Sequence, residues 1–230
     1  ATKIVSISQN IDDLLKKQGV PADKRVLIHH GFDLERFSSS EPEKVNELKE
    51  KYNPQGQAPV IGVIARWMEW KGIQYTIEAF KEVVKHYPDA LLCLFGASEN
   101  ADYSKEIGEL VKTLPGKNVR VTGFEPNVFD LYQLFDCYVH VPVNPHCEAF
   151  GQTYVEALAA GIPSVFTLSG IAREFIVHEE NALVVPFKDP KEICDAILRL
   201  AGDPAVQRGQ GLARHGGPFG QGRWPHQFTI

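Results

Sequence analysis

The sequence is short of cysteine, of long apolar runs and of dense positive charge, and each shortage excludes something. Its four cysteines, Cys93, Cys137, Cys147 and Cys194, show no C-x-x-C spacing. That argues against a disulfide framework or a zinc site, and for reduced thiols in a cytosol-like compartment. The longest apolar stretches, such as "ALLCLFGA" from Ala90 to Ala97, fall far below the roughly 20 residues that cross a bilayer. The net charge is -5, with no clustered Lys and Arg. Nucleic acid selects such clusters, so no nucleic-acid partner is expected. No D-x-D cluster in an apolar setting offers a metal site. No signal peptide is visible, but the chain opens on "ATKIVSIS" without Met, so one carried by a longer parent stays open.

What is present is an α/β pattern. With 230 residues, 43% of them apolar, the chain has room for one large α/β domain, or one domain plus a piece of another. "KIVSIS" (3–8) and "RVLIHH" (25–30) read as strands around the helical "QNIDDLLKKQG". "SSSEPEKVNELKEKY" carries a capping-box pattern, with Ser40 as N-cap and Glu43 three residues on. "VIGVIA" (60–65) is a nearly continuous apolar run, as expected of a strand buried on both faces. Helices and strands then alternate: "IQYTIEAFKEVVKHY", "ALLCLFG", "YSKEIGELVKTL", "NVRVTG", "NVFDLYQLF", "CYVHVPV", the helix after Gly151, "PSVFTL", "AREFI", "ALVVP" and "PKEICDAILRLA". Such alternation predicts a Rossmann-like, doubly wound parallel sheet with helices on both faces. From Pro204 on, the chain turns rich in Gly, Arg, Gln and Pro and loses its apolar period. This tail reads as disordered or misfitting sequence; a reading-frame error in the source gene would produce so sharp a change.

One stretch points to a ligand. "CEAFGQTYVEALAAG" (147–161) follows a strand and enters a helix, with Glu148 before the helix and Glu156 inside it. Helix N-termini present unpaired N–H groups and a partial positive charge, so an anionic phosphate is favoured there. Gly151 lets an anion approach the backbone, and Phe150, Gly151, Gln152 and Thr153 read as a phosphate cradle. Glu156, about one turn on, has the chemistry to accept hydrogen bonds from a ribose diol. Glu148 is placed for a second polyol. Spacing alone has little value. With 29 acids among the residues, a pair at any fixed spacing should arise by chance roughly three or four times. Glu156 as a solvated helix acid and Glu148 as a dipole-favoured acid stay open on that evidence.

"ARWMEWKG" adds a second element. Arg66 and Lys71 fall after the first buried strand and before a helix. A doubly wound sheet brings this loop and the Glu148 loop to one edge. Two cations beside a phosphate cradle suit a pyrophosphate leaving group. The plainer alternative is a surface pair with Glu69. His146 is either a sugar contact or an exposed bystander. Trp67 and Trp70 either stack on a ligand or pack.

In this order and spacing, "ARWMEWKG" and "CEAFGQTYVEALAAGIPSV" resemble the retaining nucleotide-sugar glycosyltransferases of the GT-B fold, specifically family 4 with its E-x7-E pattern. "VSISQNIDDLLKKQGVPADKRVLIHHGFDLERF", "VRVTGF", "LYQLFDCYVHVP" and "GIAREFI" extend the resemblance over about Lys3 to Pro204. It departs at His29 and His30, where the family usually has an Asn before the Gly, and in a longer "PVNPHCE" loop. The resemblance implies a piece of an N-terminal acceptor domain and linker over 1–37, a complete donor domain over 38–203, and an atypical tail over 204–230. It implies that Arg66 and Lys71 grip the diphosphate of a UDP- or GDP-linked sugar, with transfer at retained configuration and without a metal ion or other cofactor. Glu148 and the backbone of Ala149 to Thr153 would meet the sugar and phosphates, and Glu156 the ribose. The nucleobase would lie near Gly96 and the "GFEPN" loop (Gly123 to Asn127), which holds Phe124, mostly through backbone groups. The acceptor, a carbohydrate or lipid-linked molecule, would be held by the rest of the N-terminal domain. The protein would be cytoplasmic, in some cases peripheral to a membrane. A GT-B-like epimerase or phosphorylase and a non-catalytic nucleotide-binding module are the alternatives; a nicotinamide dehydrogenase is set aside because "GVIARWMEWKG" lacks G-x-G-x-x-G.

Overall fold

The computed structural model describes residues 2–96 and 102–202. In chain order the main elements are β1 (Ile4–Ser6), α1 (Gln9–Lys17), β2 (Arg25–Leu27), α2 (Glu35–Ser38), α3 (Pro42–Tyr52), β3 (Val60–Ile64), α4 (Ile73–His86), β4 (Leu91–Phe95), α5 (Asp102–Lys112), β5 (Val119–Thr122), α6 (Val128–Leu131), β6 (Cys137–His140), α7 (Gln152–Ala159), β7 (Ser164–Phe166), α8 (Ala172–Phe175), β8 (Leu183–Val184) and α9 (Pro190–Gly202). β1 and β2 pair in parallel, Ile4 opposite Arg25, as a two-stranded sheet of their own. The other six strands form one parallel sheet in the order β5-β4-β3-β6-β7-β8.

That order places the site. The chain starts at the centre with β3, winds outward through β4 to β5, returns to set β6 on the other side of β3, and winds outward again. Loops leaving β3 and β6 therefore diverge from adjacent strands and open a crevice at their carboxyl ends.

The apolar runs were legible because both faces of the sheet are covered. Along β4, Leu91, Cys93 and Phe95 join one core layer while Leu92 and Leu94 join the other. Successive side chains point to opposite faces, so a strand covered on both sides reads as unbroken hydrophobicity. One layer is aromatic, with Tyr132, Tyr138, Tyr154, Phe95 and Phe166 beneath α6 and α7. Its counterpart packs α4 and α9 through Ile77, Phe80 and Ile197.

Two local expectations are corrected. The helix expected to start from Ser40 begins at Pro42, with Glu41 at the N-cap position and no side-chain cap. Proline fixes its own φ and pushes the preceding residue to extended backbone, so the boundary follows Pro42 and the Ser40–Glu43 box does not form. The Glu41 N–H instead donates to Asp130 Oδ1 at 2.8 Å. The strand expected to reach His30 ends at Leu27. The atypical tail lies outside the described residues.

Candidate functional site

A cleft of about 480 Å³ opens at the carboxyl ends of β3, β4, β5 and β6. Arg66 and Lys71 reach it from the loop after β3, Gly96 from the end of β4, and Phe124 and Glu125 from the loop after β5. Glu148 comes from the loop after β6, and Gly151, Gln152, Thr153 and Glu156 from α7 and its start. The β3 and β6 loops are tied together, since the Val143 N–H donates to the Trp70 carbonyl at 3.0 Å. Gly151 holds φ at 93° at the helix start. A Cβ there would come within 2.7 Å of the Tyr154 ring, so this turn requires glycine.

Glu148 is 7% exposed. Its Oε1 accepts from Lys71 Nζ at 2.6 Å and from His140 Nε2 at 3.1 Å. Its backbone N–H donates to Ser169 Oγ at 3.0 Å, and its carbonyl accepts from Asn10 Nδ2 at 3.3 Å. Burial pushes the carboxyl up, but the hydrogen bond from His140 and the charge and hydrogen bond of Lys71 outweigh it and bring it down to about 2. Burial pushes the His140 imidazole down, against the hydrogen bond to Glu148 that pushes it up. His140 is therefore neutral near pH 7 and donates Nε2–H, because a carboxylate only accepts. Its buried Nδ1 has no partner among the described residues, in keeping with that tautomer.

Glu156 sits one turn inside α7 and is half-buried. The hydroxyl of the fully buried Tyr132 donates to its Oε2 at 2.8 Å. Burial raises its carboxyl above the ordinary range, and the Tyr132 hydrogen bond opposes this. The two acids thus face one cleft with their carboxyls shifted in opposite directions. Glu148 is paired with a lysine, whereas among the described residues no cation pairs with Glu156.

Nine of the residues anticipated from sequence line this cleft: Arg66, Lys71, Gly96, Phe124, Glu148, Gly151, Gln152, Thr153 and Glu156. Ala149 and Phe150 do not. The Ala149 carbonyl accepts from Ser8 Oγ at 2.6 Å, and the Phe150 ring is buried, stacked on Phe32 at 5.7 Å and edge-on to His30 at 5.0 Å. Both fasten the Glu148 loop to the N-terminal segment. Lys71 pairs with Glu148 and not with Glu69, so the plain surface-pair alternative fails for it. His146 faces away from this cleft, with its Nδ1 2.6 Å from Asn10 Oδ1. Trp67 is core, whereas Trp70 is 41% exposed.

The sequence reading missed His140 and Tyr132, and named Glu125 only as part of the "GFEPN" loop. The first left a signal: an ionisable residue inside the otherwise apolar "CYVHV" run. Glu125 is buried and accepts from Tyr52, Lys51 and the Asn127 N–H. Among the described residues, no group of three or more His, Cys, Asp or Glu is arranged to hold a metal ion. No described helix is long and apolar enough to cross a membrane.

Known proteins share both sequence and fold with this chain. The family described as "Glycosyl transferases group 1" matches residues 44–211. Alpha-monoglucosyldiacylglycerol synthase of Acholeplasma laidlawii is 27% identical over 184 residues, covering 78% of this chain and 44% of that protein. The capsular polysaccharide biosynthesis glycosyltransferase CapM of Staphylococcus aureus is 25% identical over 213 residues, covering 90% of this chain and 54% of that protein. The chain thus spans about half the length of these relatives. The structure of Anabaena HepE in complex with UDP and glucose superimposes with a TM-score of 0.84 at 23% identity, over 100% of this chain and 60% of that one. The C-terminal domain of LpcC, a glycosyl transferase group 1 protein of Francisella tularensis, superimposes with a TM-score of 0.69 at 25% identity, over 84% of this chain and 98% of that domain. With the family match running from α3 through α9 of a doubly wound sheet, the chain belongs to the group 1 glycosyl transferases.

Proposed function

We propose that this chain is the donor-binding half of a retaining, metal-independent glycosyltransferase of the E-x7-E type. It would take its sugar from a nucleoside diphosphate and pass it to a carbohydrate or lipid-linked acceptor held with the rest of an N-terminal domain. The observation that carries the reading is the convergence of Arg66, Lys71, Glu148 and Glu156 on one switch-point cleft. Relatives solved with UDP and UDP-glucose support the donor class.

The roles follow from charge. A departing diphosphate gains negative charge; Lys71, Arg66 and the α7 N-terminus at Gly151 to Thr153 are the groups to meet it. The anomeric carbon gains positive charge as the bond to the leaving oxygen breaks. Glu148, ionised and buried, stabilises that charge and positions the sugar. Glu156 accepts from the ribose hydroxyls, and the exposed Phe124 with Gly96 borders the base. No cofactor takes part in this scheme. The chain alone would bind donor and transfer little, and the whole protein would work in the cytoplasm, at a membrane where its acceptor is lipid-linked.

The test is calorimetry with UDP, GDP and ADP and their common sugars. One nucleoside diphosphate is expected to bind saturably, with the sugar-linked form competing for the same site. If none binds, the reading falls.

A further inference from the structure

A second concavity, about 710 Å³, lies on the other side of the Glu148 loop. Lys16 and Lys17 from the last turn of α1, Arg173 from α8 and His146 from the loop line it, with Asn10, Asp13 and Leu14. Two lysines at a helix C-terminus are ordinary, because they complement the helix dipole. A third cation from a different element, facing the same hollow, is not explained that way. One acid, Asp13, shares the hollow, and Glu174 lies beside it; each has hydrogen-bond partners of its own. Asp13 accepts from Gln9 Nε2 at 2.9 Å. Glu174 accepts from the Gln9 N–H at 2.7 Å and lies 2.9 Å from His29 Nε2. Among the described residues, none of the three cations has a carboxylate partner in an ion pair.

The hollow is wired to the first site. His146 Nδ1 meets Asn10 Oδ1 at 2.6 Å, and Asn10 Nδ2 donates to the Glu148 carbonyl at 3.3 Å. Asn10 is 7% exposed, so this link is internal. The Glu148 side chain enters the cleft while its backbone is held from the side of the hollow.

We propose that this hollow binds a phosphate-type anion carried by the acceptor, held by Lys16, Lys17 and Arg173 with His146. The acceptor's anion is then anchored one loop away from the carboxylate that handles the donor sugar. An anchor of this kind sets the acceptor's reach without touching the reacting atoms. Its assignment to the acceptor, though not the anion site itself, rests on the donor reading above.

The test titrates the full chain with UDP and then with inorganic phosphate, following backbone amide shifts. UDP is expected to move amides near 66–72 and 148–156. Phosphate, added with UDP saturating, is expected to move amides of α1, 144–147 and α8, and to saturate. The double variant Lys17→Gln/Arg173→Gln, on exposed side chains, should weaken phosphate about tenfold through two lost charge-assisted hydrogen bonds, and leave UDP unchanged. Phosphate shifts that do not saturate, or that persist in the double variant, overturn the proposal. If UDP fails to bind while phosphate saturates, the donor reading falls and the anion site stands. Vesicles separate the sources. Sedimentation with phosphatidylglycerol but not phosphatidylcholine vesicles, lost in the double variant, puts the anion on a lipid headgroup. Phosphate binding without sedimentation puts it on a soluble phosphorylated acceptor.

Discussion

Lys71 Nζ lies 2.6 Å from Glu148 Oε1, joining the loop after β3 to the loop after β6 across the switch point of the sheet. Both side chains are largely buried, so the pair is a poised arrangement more than a surface ornament. Under the proposed function, a diphosphate in the cleft would give the lysine a second anion, while His140 would keep its hold on the carboxylate.

From this comes the first prediction. Lys71→Ala should weaken a nucleoside diphosphate by about 1.5–3 kcal/mol, the scale of a hydrogen bond to a charged group, and the bare nucleoside far less. Calorimetry with UDP and uridine reads the difference. An equal loss for both would take Lys71 off the phosphates.

Glu156 makes the second prediction. Glu156→Ala should weaken UDP by about 1–3 kcal/mol and have little effect on a deoxyribose analogue lacking the diol. Because burial raises its carboxyl above the ordinary range, the ionised acceptor is lost as pH falls through that raised value. UDP affinity should drop on the acid side earlier than an ordinary glutamate would allow. Tyr132→Phe removes the hydrogen bond that opposes the shift and should move the drop to still higher pH. A pH profile identical in Tyr132→Phe and the parent would refute the link.

Glu148 gives the opposite sign. Its folded-state value, about 2, lies below its ordinary 4.5. Its ionisation therefore stabilises the fold fully above 4.5, and that stability is lost as pH falls towards about 2. The gap is worth on the order of 3 kcal/mol. Urea midpoints measured across this window should fall steeply in the parent and less steeply in Glu148→Gln. Parallel slopes would remove Glu148 as the source.

Much of this was legible before any coordinates. The parallel sheet showed in "VIGVIA" and "ALLCLFG" because strands buried on both faces read as unbroken apolar runs. Arg66, Lys71 and Glu148 could be brought to one edge because strand order, once doubly wound, sends every βα loop to the carboxyl side. What stayed hidden depended on contacts that no local pattern encodes. Tyr132 meets Glu156 from 24 residues away, and Ser8 reaches Ala149 from 141. The ring of Phe150, which local pattern left unassigned, anchors the loop to Phe32 and His30. The false capping box at Ser40 was a local error: Pro42 decided the boundary.

The Glu148 loop also rests on a residue outside the cleft, and that gives a prediction about shape alone. Gly170 has φ at 59°, and a Cβ there would lie 2.5 Å from the Phe150 carbonyl oxygen and 2.8 Å from Glu148 Cβ. The Gly170 N–H already donates to the Pro145 carbonyl, and Ile171 N–H to that of Phe150, so the backbone has little room to withdraw. Gly170→Ala should cost about 1–2 kcal/mol from the left-handed backbone alone, with the clash added. The strain falls on Glu148 before it reaches the sheet. Nucleotide affinity should therefore drop together with the melting temperature. As a control, Gly116→Ala, where nothing lies within 4 Å and φ is ordinary, should change neither by much. If Gly170→Ala melted lower yet bound UDP as the parent does, the loop would not depend on this contact to place its carboxylate.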